Sequence, residues 1–299
     1  MKYDAGLWSG TTMIKPTKPQ TRFEYHPQSV ELMKRAALHV RTVLGDLYRD
    51  VVIVGGLVPS LLIPNPTDDT MAHPGTMDLD LGLSLGLLEE ERYVEVAERL
   101  RRAGFAPAKN KDGREIRQTW EFDAGNGRVL VDFLIGPASA SSIPGKLQSL
   151  EDDFAAFIAE GVPLAFRDQR TIKLTGRTLK NEAATREALV CGPAAFVAMK
   201  AVAFKNRGEP KDAYDLFYVL RNYPHFTEIV GGYQGLLSGE GASCAADGLA
   251  TLRQDFRTTD AVGTARAVEF ALGAEQQARD ELRADVSGIV MRFVAEVGE

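Results

Sequence analysis

The sequence predicts an α+β protein in two parts: an α/β half up to about residue 190 and an all-helical half after it. Three observations carry this. Short apolar runs bounded by glycine, at residues 51–54 and 129–135, have the length and β-branched content of strands. Between such runs lie stretches with helical spacing. From residue 193 onward strand-like runs stop and helical spacing continues, with Gly and Pro at most joints.

Taken in order, residues 1–27 carry Pro, Thr and Gly with little periodicity and read as an N-terminal arm lying across the body, with Trp8 and Phe23 as anchors. In residues 27–47, Val30, Leu32, Met33, Ala36, Ala37, Val40, Val43 and Leu44 fall on helical spacing. Residues 51–54 form a strand. Residues 87–103 form an amphipathic helix whose start is acidic (Glu89, Glu90, Glu91) and whose end is basic (Arg99, Arg101, Arg102), matching the helix dipole. Gly104 is its C-cap. Residues 116–122 and 129–135 are strands joined by a turn with Asp123, Gly125, Asn126 and Gly127. Residues 147–160 read as a helix, and residues 164–174 as mixed with strand-like pieces. Helices are expected at 194–206, 210–222, 229–237, 243–256, 258–272 and 274–297. The organisation is therefore an arm (1–27), an α/β domain (28–190) and a helical C-terminal domain (191–299).

The chemistry sits in residues 51–83, VVIVGGLVPSLLIPNPTDDTMAHPGTMDLDLGL. On a strand, residues two apart share a face, so Asp78, Asp80 and Gly82 point one way and Met77, Leu79, Leu81 and Leu83 the other. Two neighbouring carboxylates repel unless something positive lies between them. A hard divalent cation such as Mg²⁺ fits, because it takes oxygen ligands and leaves room for substrate phosphates. The Gly55-Gly56 turn ahead of a helix start supplies backbone N–H groups that bind phosphate at close range. Asp132 is the one charge in the run 129–135, and a buried carboxylate needs a partner.

This stretch resembles the nucleotidyltransferase superfamily typified by DNA polymerase beta, whose signature is a Gly-Gly or Gly-Ser turn, an Asp-x-Asp strand and a third carboxylate on a later strand. Gly55-Gly56, Asp78-Leu79-Asp80 and Asp132 match it. The long gap from Gly56 to Asp78 and the ending Thr76-Met77-Asp78-Leu79-Asp80 resemble the branch of AbiEii-type abortive-infection toxins. A second match is the lysine-bearing segment Phe196 to Arg207, with Lys200 and Lys205, followed by Lys211-Asp212-Ala213-Tyr214-Asp215-Leu216. The two matches span roughly residues 50–220.

The resemblance implies a mixed sheet with flanking helices, a short helix at 59–63 and the Asp-x-Asp strand at 77–83. It implies that Asp78, Asp80 and Asp132 hold Mg²⁺ or Mn²⁺, that Gly55, Gly56 and Ser60 hold the phosphates of an NTP, and that Lys200 neutralises them. Thr76 and Lys211 join the nucleotide-binding set, and Asp212 or Asp215 positions the lysine. The implied reaction is NMP transfer, with the 3′ end of tRNA as acceptor, a cognate antitoxin as partner, and growth inhibition as the outcome. A small-molecule adenylyltransferase and a degenerate binding protein are the competing readings.

Each residue also has a plainer reading. Asp78 and Asp80 fit a solvated edge strand, although Asp is disfavoured in strands. Asp132 fits an ion pair with Arg117. Ser60 and Thr76 fit caps or turn residues. A basic helix end with Lys205 and Arg207 fits simple solvation, whereas Lys200 in an apolar frame must find an anion. Asp212 fits a helix-start charge.

Composition narrows the classes. The net charge of −6 argues against a chain coated in nucleic-acid-binding charge, while the clusters 99–117 and 167–186 leave places for a polyanion. Cys191 and Cys244 build no metal or disulfide framework and suit a reducing compartment. The four histidines have no metal-ligand spacing. With no membrane-length apolar run and no signal-peptide pattern, a cytoplasmic protein is expected.

Overall fold

The computed structural model describes residues 19–26, 28–64, 66, 72–89, 92–125, 127–139, 141–275 and 278–298. Its centre is a mixed sheet. The strands are β1 (Val51–Val54), β2 (Asp78–Leu83), β3 (Ala106–Lys109), β4 (Glu115–Asp123), β5 (Arg128–Ile135), β6 (Leu147–Ser149), β7 (Ala155–Ile158), β8 (Gln169–Arg177) and β9 (Ala183–Cys191). Their order is β3-β4-β5-β2-β1-β9-β8, with β7 also on β5 and β6 on β7. β2 and β5, β1 and β9, and β5 and β7 run parallel, and the other pairs are antiparallel.

Alternation decides which face is core. On β5, Val129, Val131, Phe133 and Ile135 are buried, while Leu130, Asp132 and Leu134 on the other face are half-buried. The buried face packs against α1 (Ser29–Leu44), which α4 (Tyr93–Ala103) contacts in turn. Met33, Ala36, Ala37, Val40 and Leu44 are the buried side chains that the helical spacing puts on one stripe. The opposite face is covered in part by the short helix α5 (Val162–Arg167), which packs on β1, β2 and β9, and the rest is left to the site.

The helical half begins directly after β9. Gly192 leads into α6 (Pro193–Arg207), and Asp168 accepts the Ala195 N–H at 2.9 Å, tying the first turn of α6 to the end of the sheet. A methyl at Gly192 would lie 2.4 Å from the Asp168 carboxylate, so only glycine fits there. α7 (Pro210–Asn222), α8 (Phe226–Leu236), α9 (Ala242–Asp255), α10 (Val262–Leu272) and α11 (Arg279–Gly298) follow, α6 packing on α7, α8 and α9 and α7 on α10 and α11. One apolar cluster runs through both halves.

Several expectations need correction. Residues 147–160 are the β6–β7 hairpin, not a helix. β4 pairs with β5 only as far as Asp132, which leaves the edge at Leu134 and Ile135 open, and β7 takes it through Phe157 and Ile158. Satisfying that edge outweighs the helix-like spacing of Leu147, Leu150 and Phe154. The helix expected at 87–103 is two pieces, α3 (Gly86–Glu89) and α4, with Glu90 and Glu91 outside the described residues. The β8–β9 hairpin and β3 add strands where none or only fragments were expected. Trp8 and most of the arm lie outside the described residues. Phe23 is 66% exposed and anchors little, whereas Tyr25 packs edge-on to Phe270 of α10.

Candidate metal centre and cleft

Parallel pairing of β2 and β5 sets Asp80 directly opposite Asp132, with Asp78 one alternate residue earlier on the same face. One oxygen from each of Asp78, Asp80 and Asp132 lies within 4.8 Å of the others, and all three side chains are half-buried. Two of them are held by hydroxyls: Thr76 Oγ1 donates to Asp78 Oδ1 at 2.8 Å and Thr119 Oγ1 to Asp132 Oδ1 at 2.5 Å. Asp80 is held by shape. Gly55 at φ 70° turns the chain under it, and a methyl there would sit 1.8 Å from Asp80 Oδ2. Burial, then the charges of Asp78 and Asp132, push the Asp80 carboxyl up to about 8. An all-carboxylate donor set with mutual repulsion fits a hard cation of the Mg²⁺ or Mn²⁺ kind.

Opposite the carboxylates, α6 and α7 present a charged wall. Lys200 Nζ lies 2.9 Å from Asp212 Oδ1 and 2.8 Å from Asp215 Oδ2. Burial works against its ammonium, but Asp212 and Asp215 outweigh burial and hold it above the usual lysine range. Arg207 grips Asp212 with two nitrogens, at 2.6 and 2.8 Å. Burial would raise Asp212, yet Lys200 and Arg207 bring it down to about 2. Lys211 Nζ reaches both oxygens of Asp215, at 2.9 and 2.8 Å, and its pKa is lowered, chiefly by burial. Three cations thus share two carboxylates.

Behind this wall sits His73. Its Nε2 is 2.8 Å from Asp215 Oδ1, while Nδ1 faces the Gly75 N–H at 3.1 Å and Ser60 Oγ at 3.4 Å. Accepting at Nδ1 requires the Nε2–H tautomer, a neutral ring that donates to Asp215. Burial, then Lys211, lowers its pKa to about 4.

A cleft of about 940 Å³ opens between the sheet and the helices. Gly55, Gly56, Asp78, Asp80 and Asp132 line its sheet side, and Lys200, Arg207, Lys211 and Asp212 its helix side. Tyr25 stands at the rim with its ring 5.8 Å from Lys211 Nζ. Other residues singled out in the sequence lie elsewhere. Ser60 is buried against His73 and does not line the cleft, Thr76 directs its hydroxyl to Asp78, and Asp215 lies fully buried under the two lysines. Ser60 and Thr76 therefore brace neighbours where phosphate contacts were expected. Lys205 pairs with Asp247 on the surface at 2.8 Å. Arg117 reaches Ser149 and the Asp152 carbonyl. Sequence reading missed Thr119, Tyr25 and His73. Thr119 was findable, as the residue that a 123–128 hairpin sets opposite Asp132.

Among the described residues no helix is long and apolar enough to cross a membrane. No protein-family model and no curated protein matches the chain.

Proposed function

We propose that the protein is a metal-dependent nucleotidyltransferase that moves NMP from an NTP to an acceptor hydroxyl, with the 3′ end of tRNA as acceptor. The observation that carries this is the convergence of Asp78, Asp80 and Asp132 within 4.8 Å, beside the Gly55-Gly56 turn and across a cleft from Lys200. The antiparallel β1–β2 pair followed by parallel β5 supports a nucleotidyltransferase-type sheet. The role as a toxin with a cognate antitoxin rests on the resemblance of the two motifs to AbiEii-type proteins.

Asp78, Asp80 and Asp132 would hold one or two Mg²⁺ or Mn²⁺ ions. Such ions, when bound, neutralise triphosphate charge and polarise the α-phosphoryl group. The chain's own groups do the rest. Backbone N–H groups at Gly55 and Gly56 receive phosphate oxygens, and absence of side chains there lets them approach. Lys200 and Lys211 carry positive charge to the same place, and Asp212 and Asp215 fix their ammonium groups so that little ordering is needed when the triphosphate arrives. The acceptor oxygen bonds to the α-phosphorus, the bond to the bridging oxygen breaks and pyrophosphate leaves. Asp132, oriented by Thr119, takes the hydroxyl proton.

The test is incubation of the protein with Mg²⁺ and each α-labelled NTP, first with total RNA and then with total protein or small cationic acceptors. Label in the tRNA band is expected, and Asp78→Ala is expected to abolish it. Label confined to a small acceptor would redirect the reading to a small-molecule adenylyltransferase. Failure to bind Mg²⁺-NTP in calorimetry would leave a binding protein.

A further inference from the structure

We propose that an apolar shelf next to the carboxylates, centred on Phe157, stacks the 3′-terminal nucleobase of an RNA acceptor; the proposal rests on the nucleotidyltransferase reading above. On β5, Leu134 shares the cleft face with Asp132, about 7 Å further along the strand. Leu134 is paired with Phe157, and Phe157 with Leu147. Directly opposed residues point to the same face, so Leu134, Phe157 and Leu147 form one row across three strands. Phe157 is 40% and Leu147 44% exposed. Leu134 and Phe157 line the cleft, and Met199 and Val202 of α6 line it too. An exposed phenyl ring beside a polar catalytic centre offers a flat apolar surface that every base can stack on.

The strand order assigns the shelf to the acceptor. β1 with its glycine turn flanks β2 on one side, and β5 flanks β2 on the other. Lys211 stands by the glycine turn, where a methyl at Gly56 would lie 3.4 Å from its Nζ. The triphosphate belongs on that flank. Phe157 lies on the flank of Asp132, the residue given to the acceptor hydroxyl, and away from the glycine turn.

The experiment compares the full-length wild type with Phe157→Ala and Phe157→Tyr. Because the ring is partly exposed, its truncation leaves the fold and the carboxylates in place, which circular dichroism and Mg²⁺ titration check. With a short oligoribonucleotide acceptor, Phe157→Ala is expected to raise KM for the RNA by about tenfold or more, to leave NTP affinity unchanged, and to be rescued by Phe157→Tyr. An oligoribonucleotide ending in 3′-2-aminopurine is expected to lose fluorescence on binding wild type and Phe157→Tyr, but not on binding Phe157→Ala. Unchanged quenching and KM in Phe157→Ala overturn the proposal, as does a drop in NTP affinity, which would make the shelf the donor-base site. If wild type transfers nothing to any RNA, the RNA-acceptor reading fails, and the quenching measurement alone decides the shelf.

Discussion

Gly55 and Asp80 compete for one volume, and the competition can be read out. Gly55→Ala adds a methyl 1.8 Å from Asp80 Oδ2 at a residue whose φ is 70°. Both strain and displacement follow, so a loss of roughly 1–3 kcal/mol in urea unfolding is expected together with at least about a tenfold weaker response to Mg²⁺-NTP. Asp80→Asn makes the opposite prediction for stability. The Asp80 carboxyl is raised to about 8, so the metal-free fold favours its protonated form. Its contribution is present below the unfolded pKa near 4 and is lost as pH rises through about 8. The amide removes that loss. In EDTA at pH 8, Asp80→Asn is expected to melt several degrees above wild type, to match it near pH 4, and to lose the upward shift that MgCl₂ gives wild type. A lower melting point for the variant in EDTA at pH 8 would mean that the carboxylate is held by a protein cation. These residues were legible because strand alternation fixes a face from sequence alone and because Asp132 is a lone charge in an apolar run. His73 was not legible: it is a single histidine in a polar loop, and its partner is Asp215, 142 residues away.

At the scale of elements, local period was a good guide wherever the chain's own pattern decided the outcome. β1 and α7 begin and end where expected, since each is bounded by Gly or Pro and packs on both sides of its pattern. The β6–β7 hairpin was misread because its state is set by an open edge on β5, a fact about pairing that no window of residues contains. The α6–α7 pair shows how burial changes the value of one type of contact. Asp212 is 1% exposed and holds Lys200 and Arg207, whereas Asp247 and Lys205 meet in solvent at side-chain exposures of 57% and 49%. Removing one partner of a buried pair leaves a stranded charge, while a solvated pair contributes little. Asp212→Ala is therefore expected to cost about 3 kcal/mol in urea unfolding and Asp247→Ala under about 0.5 kcal/mol. Equal losses would show that Lys200 and Arg207 find other anions.

For the whole molecule, the apolar cluster that runs through both halves is joined by a polar, titratable contact centred on His73. The loop before β2 supplies His73, α2 (Val58–Leu62) supplies Ser60, and α7 supplies Asp215, Lys211 and the rings of Tyr214 and Tyr218 that lie against the imidazole. The charged groups facing it are Asp215, Lys211 and Lys200. Burial, then the ammonium of Lys211, outweighs the raising effect of Asp215 and brings the folded pKa from 6.5 down to about 4. The sign follows from proton counting. Between these values the unfolded chain binds the proton and the folded one does not, so the contribution of His73 is full above pH 6.5 and declines as pH falls through about 4. The whole interval is worth roughly 3 kcal/mol. Taking stability at pH 7.5 minus stability at pH 4.5 from urea unfolding, the value for His73→Gln is expected to lie about 2 kcal/mol below that for wild type. Asp212 and Asp215 titrate below this window, so they leave the comparison intact, and the raised pKa of Asp80 and the depressed pKa of His39 act equally in both proteins. Identical pH dependence in the two proteins would place the proton elsewhere and remove His73 from the join.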